Sequence, residues 1–260
     1  MKKNAFFSNF LCYLCYMNHN QTVFIVDAGN SFLKVGVFKD QILENVVRIG
    51  YLELSDYAEL LNNSEDKVVF ISSVLNEYET NKLIDIYSAS IVLKRDDFLP
   101  IQIKYESPET LGLDRICNSV ASFFLAKGKH AVAIDIGTCI KFDFTDKEGN
   151  YLGGSISPGI NLRYKSMNDY TGKLPLIKDR ISSDLIGNNT LNSMRSGVIN
   201  GIKAEIDQFI DLYSQQYQDL TFFVTGGDAV YFDFPFKNNI FVDENLTLKG
   251  LHQIYLVNAK

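Results

Sequence analysis

Two aspartates, Asp27 and Asp135, close apolar runs in segments of one design: VFIVDAGNSFLKVGVF over residues 23–38 and AVAIDIGTCIKFDF over residues 131–144. In each, the aspartate ends a strand, a glycine two places on lets the backbone turn, and Asn30 or Thr138 offers a polar group to a phosphate. The pattern predicts a phosphate-binding hairpin. A carboxylate at such a tip repels phosphate, so its natural partner is a metal ion or metal-bound water that bridges to a nucleotide. Two such turns imply a nucleotide and a cation gripped by two halves of the chain.

Three further segments carry candidate chemistry. YESPETLGLDRICNSVASFFLA, residues 105–126, is punctuated by Pro108 and Gly112, and Asp114 then begins a helix with an apolar face of Ile116, Val120, Phe123 and Phe124. On local pattern Asp114 is a helix cap and Arg115 its solvated partner. The functional alternative makes Asp114 face a phosphoryl acceptor while the planar fork of Arg115 orients a negatively charged substrate. GGSISPG (153–159) and TGGDA (225–229) are glycine turns. Tight turns are their commoner meaning. Beside the two aspartate hairpins, though, the T-G-G at a strand end suits close passage of a base or ribose past Gly226 and Gly227.

The elements that must position these groups alternate. Strands are expected over 23–27, 35–38, 42–49 and 68–74, with a helix over 56–62, and the second half opens the same way with strands over 131–135, 140–145 and 151–156. Leu191, Met194, Val198, Ile202, Ile206, Phe209 and Tyr213 recur at spacings of three and four, which predicts one amphipathic helix over 191–213. The aspartates lie 108 positions apart in 260 residues, so a duplicated core of two lobes accounts for the length.

Composition excludes several classes. A formal charge of −6 with no basic run argues against nucleic-acid binding, and 46% hydrophobic residues suffice for a core. Cys117 and Cys139 stand alone, Cys12 and Cys15 form a C-x-x-C with no second ligand pair, and only His19, His130 and His252 are present, so a zinc or histidine-based site is not expected. The first residues have two lysines and an apolar stretch, but no small-x-small cleavage site and too few apolar residues to span a bilayer. Met17 precedes the first strand, and residues 1–21 read as an extension outside the fold.

In order and spacing, DAGNSFLK, ISSV (71–74), YESPETLGLDR, DIGT, GGSISPG, KLP (173–175), IGNNT (186–190), MRSG (194–197), TGG and NLTLKGL (245–251) resemble the type III pantothenate kinase family. That family belongs to the sugar kinase, heat-shock chaperone and actin superfamily. The resemblance implies an α/β, duplicated ribonuclease H-like (actin-like ATPase) fold. Its two lobes, 22–126 and 127–260, would each have a mixed sheet flanked by helices. It also implies ATP-dependent phosphorylation of pantothenate to 4′-phosphopantothenate, the first step of coenzyme A biosynthesis, in a cytoplasmic homodimer whose substrate pocket the second subunit completes. Neither nucleic acid nor membrane is an expected partner.

Carried onto this chain, the resemblance makes Asp27, Ala28, Gly29, Asn30, Ser31, Phe32, Leu33 and Lys34 the first ATP-binding loop, with Asp27 toward Mg²⁺. Thr138, Gly226 and Gly227 become further ATP contacts, and Asp135 the holder of a monovalent cation, potassium or ammonium. Gly112, Leu113, Asp114 and Arg115 match the pantothenate loop, with Asp114 the catalytic proton acceptor and Tyr105 and Thr190 further pantothenate contacts. Two alternatives stand beside this: a kinase of the same superfamily for another acceptor, and a nucleotide-binding regulatory homologue with weakened catalysis.

The second hairpin departs from the family pattern. Cys139 and Lys141 replace residues that are usually small or hydroxylated. By alternation Lys141 shares a face with Asp143, so it either forms a surface ion pair there or sends its ammonium into the cation site.

Overall fold

The computed structural model describes residues 22–29, 32–50, 67–73, 75–86, 90–94, 96–181, 184–234 and 239–259. The N-terminal extension with its C-x-x-C, the helix expected over 56–62, and Asn30, Ser31 and Val74 lie outside them.

Alternating apolar runs open the chain as an antiparallel meander: β1 (Thr22–Ala28), β2 (Leu33–Lys39) and β3 (Ile42–Ile49). Asp40 and Gln41 join the last two with φ of 49° and 66°. This backbone matches the twist of the flanking strands and so closes a tight hairpin without glycine. β4 (Lys67–Ser73), α1 (Glu77–Ile86) and β5 (Ser90–Val92) follow. β4 is parallel to β1 and β5 to β4, which gives the order β3-β2-β1-β4-β5.

Next come β6 (Gln102–Ile103), a 3₁₀ turn (Pro108–Thr110) and α2 (Leu113–Leu125). A second meander, β7 (His130–Ile136), β8 (Cys139–Thr145) and β9 (Asn150–Pro158), leads to α3 (Ile160–Asp169) and α4 (Thr190–Gln216). β10 (Leu220–Thr225), β11 (Ile240–Val242) and α5 (Leu246–Asn258) complete the chain. β10 is parallel to β7 and β11 to β10, and the order is β11-β10-β7-β8-β9-β6. Apart from the added β6, this is the first sheet's succession: third, second, first, fourth, fifth strand. The recurrence of the aspartate motif is therefore the recurrence of a whole mixed sheet. This is the duplicated α/β design.

The chain divides into two compact units. One comprises the described residues up to Pro100 together with Gly112–Cys117 and residues from Thr247 onward; the other comprises Ile101–Leu111 and Asn118–Leu246.

In the first unit one face of the sheet is a core of Val26, Ala28, Leu33, Val35, Ile49, Val69 and Ile71, onto which α1 places Leu83. The opposite face is covered by α5. Leu248 packs over Gly36, His252 stacks on Phe38 with ring centroids 3.9 Å apart, and Tyr255 lies 5.6 Å from Phe70.

His252 is 2% exposed, and burial lowers its pKa from 6.5 to about 4. The unfolded chain takes up this proton near pH 6.5 and the folded chain only near pH 4. The stability from the neutral buried imidazole is thus full above pH 6.5 and is lost as pH falls toward 4. Urea unfolding at pH 7 and pH 4.5 should show the native chain losing roughly 2 kcal/mol more than His252→Phe. Equal losses in both chains would contradict this.

In the second unit the long helix α4 lays Met194, Val198, Ile199, Ile202, Ile206 and Ile210 on the sheet residues Val132, Ile134, Phe142, Phe222 and Val224. Phe142 stacks on Phe209 and Phe144 on Tyr213. The predicted stripe is displaced at its start, because Leu191 is 42% exposed. It lies in the first turn, ahead of Met194, the first residue of that stripe to reach the core.

Candidate active site

In the first unit the cross-strand partner of Asp27 is Lys34, and its neighbour on parallel β4 is Ser72. Val26, Ala28, Leu33, Val35 and Ile71 fill the core face, so alternation puts Asp27, Lys34 and Ser72 on the other. Lys34 and Ser72 are buried. The Gly29 N–H donates to the Phe32 carbonyl at 3.2 Å across the base of the β1–β2 loop, and Arg48 lies over the Phe32 ring. Ala28 and Leu33 have their side chains in the core, so they can serve a ligand only through backbone.

α2 begins at Leu113, which makes Asp114 its second residue and puts Gly112 at the position ahead of the helix. The cap expected of Asp114 is therefore displaced to Gly112. The Asp114 carboxylate folds back over that glycine: a Cβ built on Gly112 would overlap Asp114 Oδ1. Glycine at 112 leaves the room this carboxylate occupies. Arg115 is 5% exposed, so the solvated role of the simpler reading does not hold. A guanidinium at that depth suits charge-assisted pairing with an anion.

Cys117, in the next turn of α2, senses both carboxylates. Burial holds its thiol well above the ordinary range, and the negative charges of Asp27 and then Asp114 raise it further, with the nearby Ser72 opposing them. Asp27 from β1 and Asp114 from α2 thus share one neighbourhood within this unit. The sequence alone does not single out Ser72 or Cys117. Ser72 does fall inside the ISSV motif, whereas Cys117 carries no local signal.

In the second unit the turn between β7 and β8 is closed by the Gly137 N–H donating to the Cys139 carbonyl at 3.1 Å. Asp135 and Lys141 are directly opposite in the ladder, and Lys141 Nζ sits 2.7 Å from Asp135 Oδ2. Asp143, the other partner expected for Lys141, is not a surface carboxylate. Asp143 is 1% exposed and its Oδ1 accepts from the Tyr151 hydroxyl at 2.8 Å. Thr225 is paired with Asp135 across β10 and β7, and Gly226 follows with φ of 99°. A Cβ on Gly226 would overlap the Ile136 carbonyl and stand 2.5 Å from Asp135 Oδ1, so only glycine lets this turn close on the hairpin. The Asp228 N–H donates to the Ile136 carbonyl at 2.9 Å, and the Gly159 N–H to the Thr138 carbonyl at 3.0 Å. Asp135, Thr138, Gly226 and Gly227 are thereby brought together, with Thr138 and Gly227 exposed.

Beyond the turn, Arg180 Nε donates to Asp228 Oδ1 at 3.2 Å, and Arg195 holds Asp179 at 2.6 Å, a bond that keeps the Asp179 carboxyl below its usual range. Lys178, Asp179, Arg180, Ile181 and Tyr231 line an open hollow of about 610 Å³. The basic members of this hollow escaped sequence reading, since they occupy an irregular stretch without periodicity. Tyr105 packs against Gly153 and tilts on Tyr151 (5.9 Å), while Thr190 is the exposed first residue of α4, behind its cap Asn189.

The sequence profile of type III pantothenate kinases matches residues 23–212. The type III pantothenate kinase of Christiangramia forsetii is 38% identical over 244 residues, covering 90% of this chain and 98% of that protein. That of Cytophaga hutchinsonii is 37% identical over 235 residues, covering 90% and 99%. The chain belongs to the type III pantothenate kinase family. Among solved structures, a Baf family protein of Campylobacter jejuni is 23% identical with a TM-score of 0.56, covering 90% of this chain and 98% of its own, a likeness of fold. This member of the type III pantothenate kinase family has Asp27, Asp114 and Asp135 at the positions described above, with a lysine against the third of these.

Proposed function

We propose that the chain transfers the γ-phosphoryl group of ATP to the primary hydroxyl of pantothenate, giving 4′-phosphopantothenate and ADP, the first step of coenzyme A biosynthesis. The observation that carries this reading is family membership joined to two placed carboxylates: Asp27 at the tip of the first hairpin opposite Lys34, and Asp114 folded over Gly112 at the start of α2. One carboxylate ends a phosphate hairpin beside a lysine and the other is poised at a helix start. This is the pairing that a nucleotide and an alcohol acceptor require.

In the reaction the acceptor oxygen bonds to the γ-phosphorus as the bond to the β-phosphate oxygen breaks, and the hydroxyl proton passes to Asp114. The transition state is loose, so positioning and charge neutralisation matter more than early deprotonation. Asp114, held over Gly112, aligns the hydroxyl as well as accepting its proton. Lys34 balances phosphate charge beside Asp27, and Arg115 takes the pantothenate carboxylate through its fork. The Asp27 carboxylate at the hairpin tip would hold Mg²⁺, which would supply neutralisation of the phosphate charge, leaving Asp114 to the acceptor. Gly226 and Gly227 let the nucleoside pass close to the backbone, with the Arg180 and Tyr231 hollow beside their turn.

Asp135 is a different case. Its Oδ2 already holds a lysine ammonium, so the residues present do not fit a free potassium or ammonium ion there. Tyr105 and Thr190 are taken as further pantothenate-contacting residues, and the chain as a cytoplasmic homodimer. Among the described residues no helix is long and apolar enough to cross a membrane.

A coupled ADP-release assay with pantothenate and a panel of other primary alcohols tests the assignment. Pantothenate should give the highest kcat/KM. Release with another alcohol but none with pantothenate would overturn it.

A further inference from the structure

We infer that Lys141 is a tethered cation of the second phosphate hairpin, and that this chain binds nucleotide and turns over without a free monovalent cation. The inference rests on the nucleotide-binding reading above and goes beyond it. Lys141 Nζ lies 2.7 Å from Asp135 Oδ2, and both side chains are 16% exposed, so solvent screens the pair only in part. The contact is set by the ladder: Asp135 and Lys141 are in direct register, one step from Ile136 and Ile140 at the end of the hairpin. The other carboxylate oxygen, Oδ1, is turned toward the Gly226 backbone, where a Cβ would stand 2.5 Å away.

One oxygen is therefore taken by an ammonium and the other faces a tight turn. An ammonium on a four-carbon stem brings the same unit charge as potassium, and the chain carries it into the site without a binding equilibrium from solution. Lys141 then acts as a positioning residue: it keeps Asp135 neutralised so that the hairpin and the T-G-G turn can accept a polyphosphate.

The test is calorimetric titration of the full chain with a non-hydrolysable ATP analogue and Mg²⁺ in choline chloride and in potassium chloride at equal ionic strength, for the native chain and for Lys141→Thr. Native affinity should differ by less than about twofold between the salts. Lys141→Thr should bind about tenfold more weakly in choline and recover in potassium. Native binding tenfold tighter in potassium than in choline would overturn the inference, as would Lys141→Thr matching the native chain in choline. Should the variant not fold, the native salt pair decides alone. Absence of binding in both salts would overturn the inference together with the nucleotide reading. Salt-independent nucleotide binding without pantothenate-dependent turnover would sink the acceptor assignment and leave the tethered cation standing.

Discussion

Asp114→Asn should lower kcat with pantothenate by about 10²-fold or more, the range for a lost general base, while the far-ultraviolet spectrum and melting temperature stay near native. The substitution keeps the shape of the side chain, so it still fits over Gly112, where the carboxylate now lies. It removes the proton acceptor and the negative charge that Asp114 adds at Cys117. Because the group aligns the hydroxyl in the transition state, the loss should fall on kcat more than on KM. Turnover within a few-fold of native would show that Asp114 is only part of the helix start.

The second large effect is on stability. Gly250→Ala should destabilise the fold by about 3 kcal/mol, the upper part of the range for overpacking a tight contact. A Cβ at 250 would overlap the Cys117 carbonyl oxygen and stand 2.5 Å from its carbon and 3.0 Å from its Cα. All of these are backbone atoms of α2, so no rotamer change relieves the clash. α5 would have to move away from the helix that carries Asp114, and activity should fall together with the urea midpoint. An unchanged midpoint would mean that the two helices are not held this closely in solution.

Much of the fold is legible in the sequence because it is local. The β1–β2 and β7–β8 meanders follow from apolar alternation broken by D-A-G and D-I-G, and α4 follows from its three-and-four spacing. The identical order of the two sheets is a matter of which strands pair, and no single segment carries that information. α5 likewise has an ordinary apolar pattern that says nothing of its return to the face holding Phe38 and Phe70.

The site divides along the same line. Asp27, Asp114, Asp135 and the T-G-G turn are visible as residue types beside turns. The back-folded carboxylate at Asp114 depends on a side-chain path, and its neighbour Cys117 matters only through burial. Lys141 shows the limit most clearly. Alternation along β8 places it with Asp143, but the pairing of β8 with β7 sets it opposite Asp135, and Asp143 is taken by Tyr151.

The place of α5 bears on how the protein is made. The strands that display Gly36, Phe38 and Phe70 leave the ribosome well before Leu248, His252 and Tyr255, which cover them. At about 5–20 residues per second, an apolar sheet surface stays open for roughly 10–40 s of synthesis. Nascent chains therefore offer a prolonged target for holding chaperones. A premature stop before residue 246 would strip the cover from the unit that bears Asp27 and Asp114.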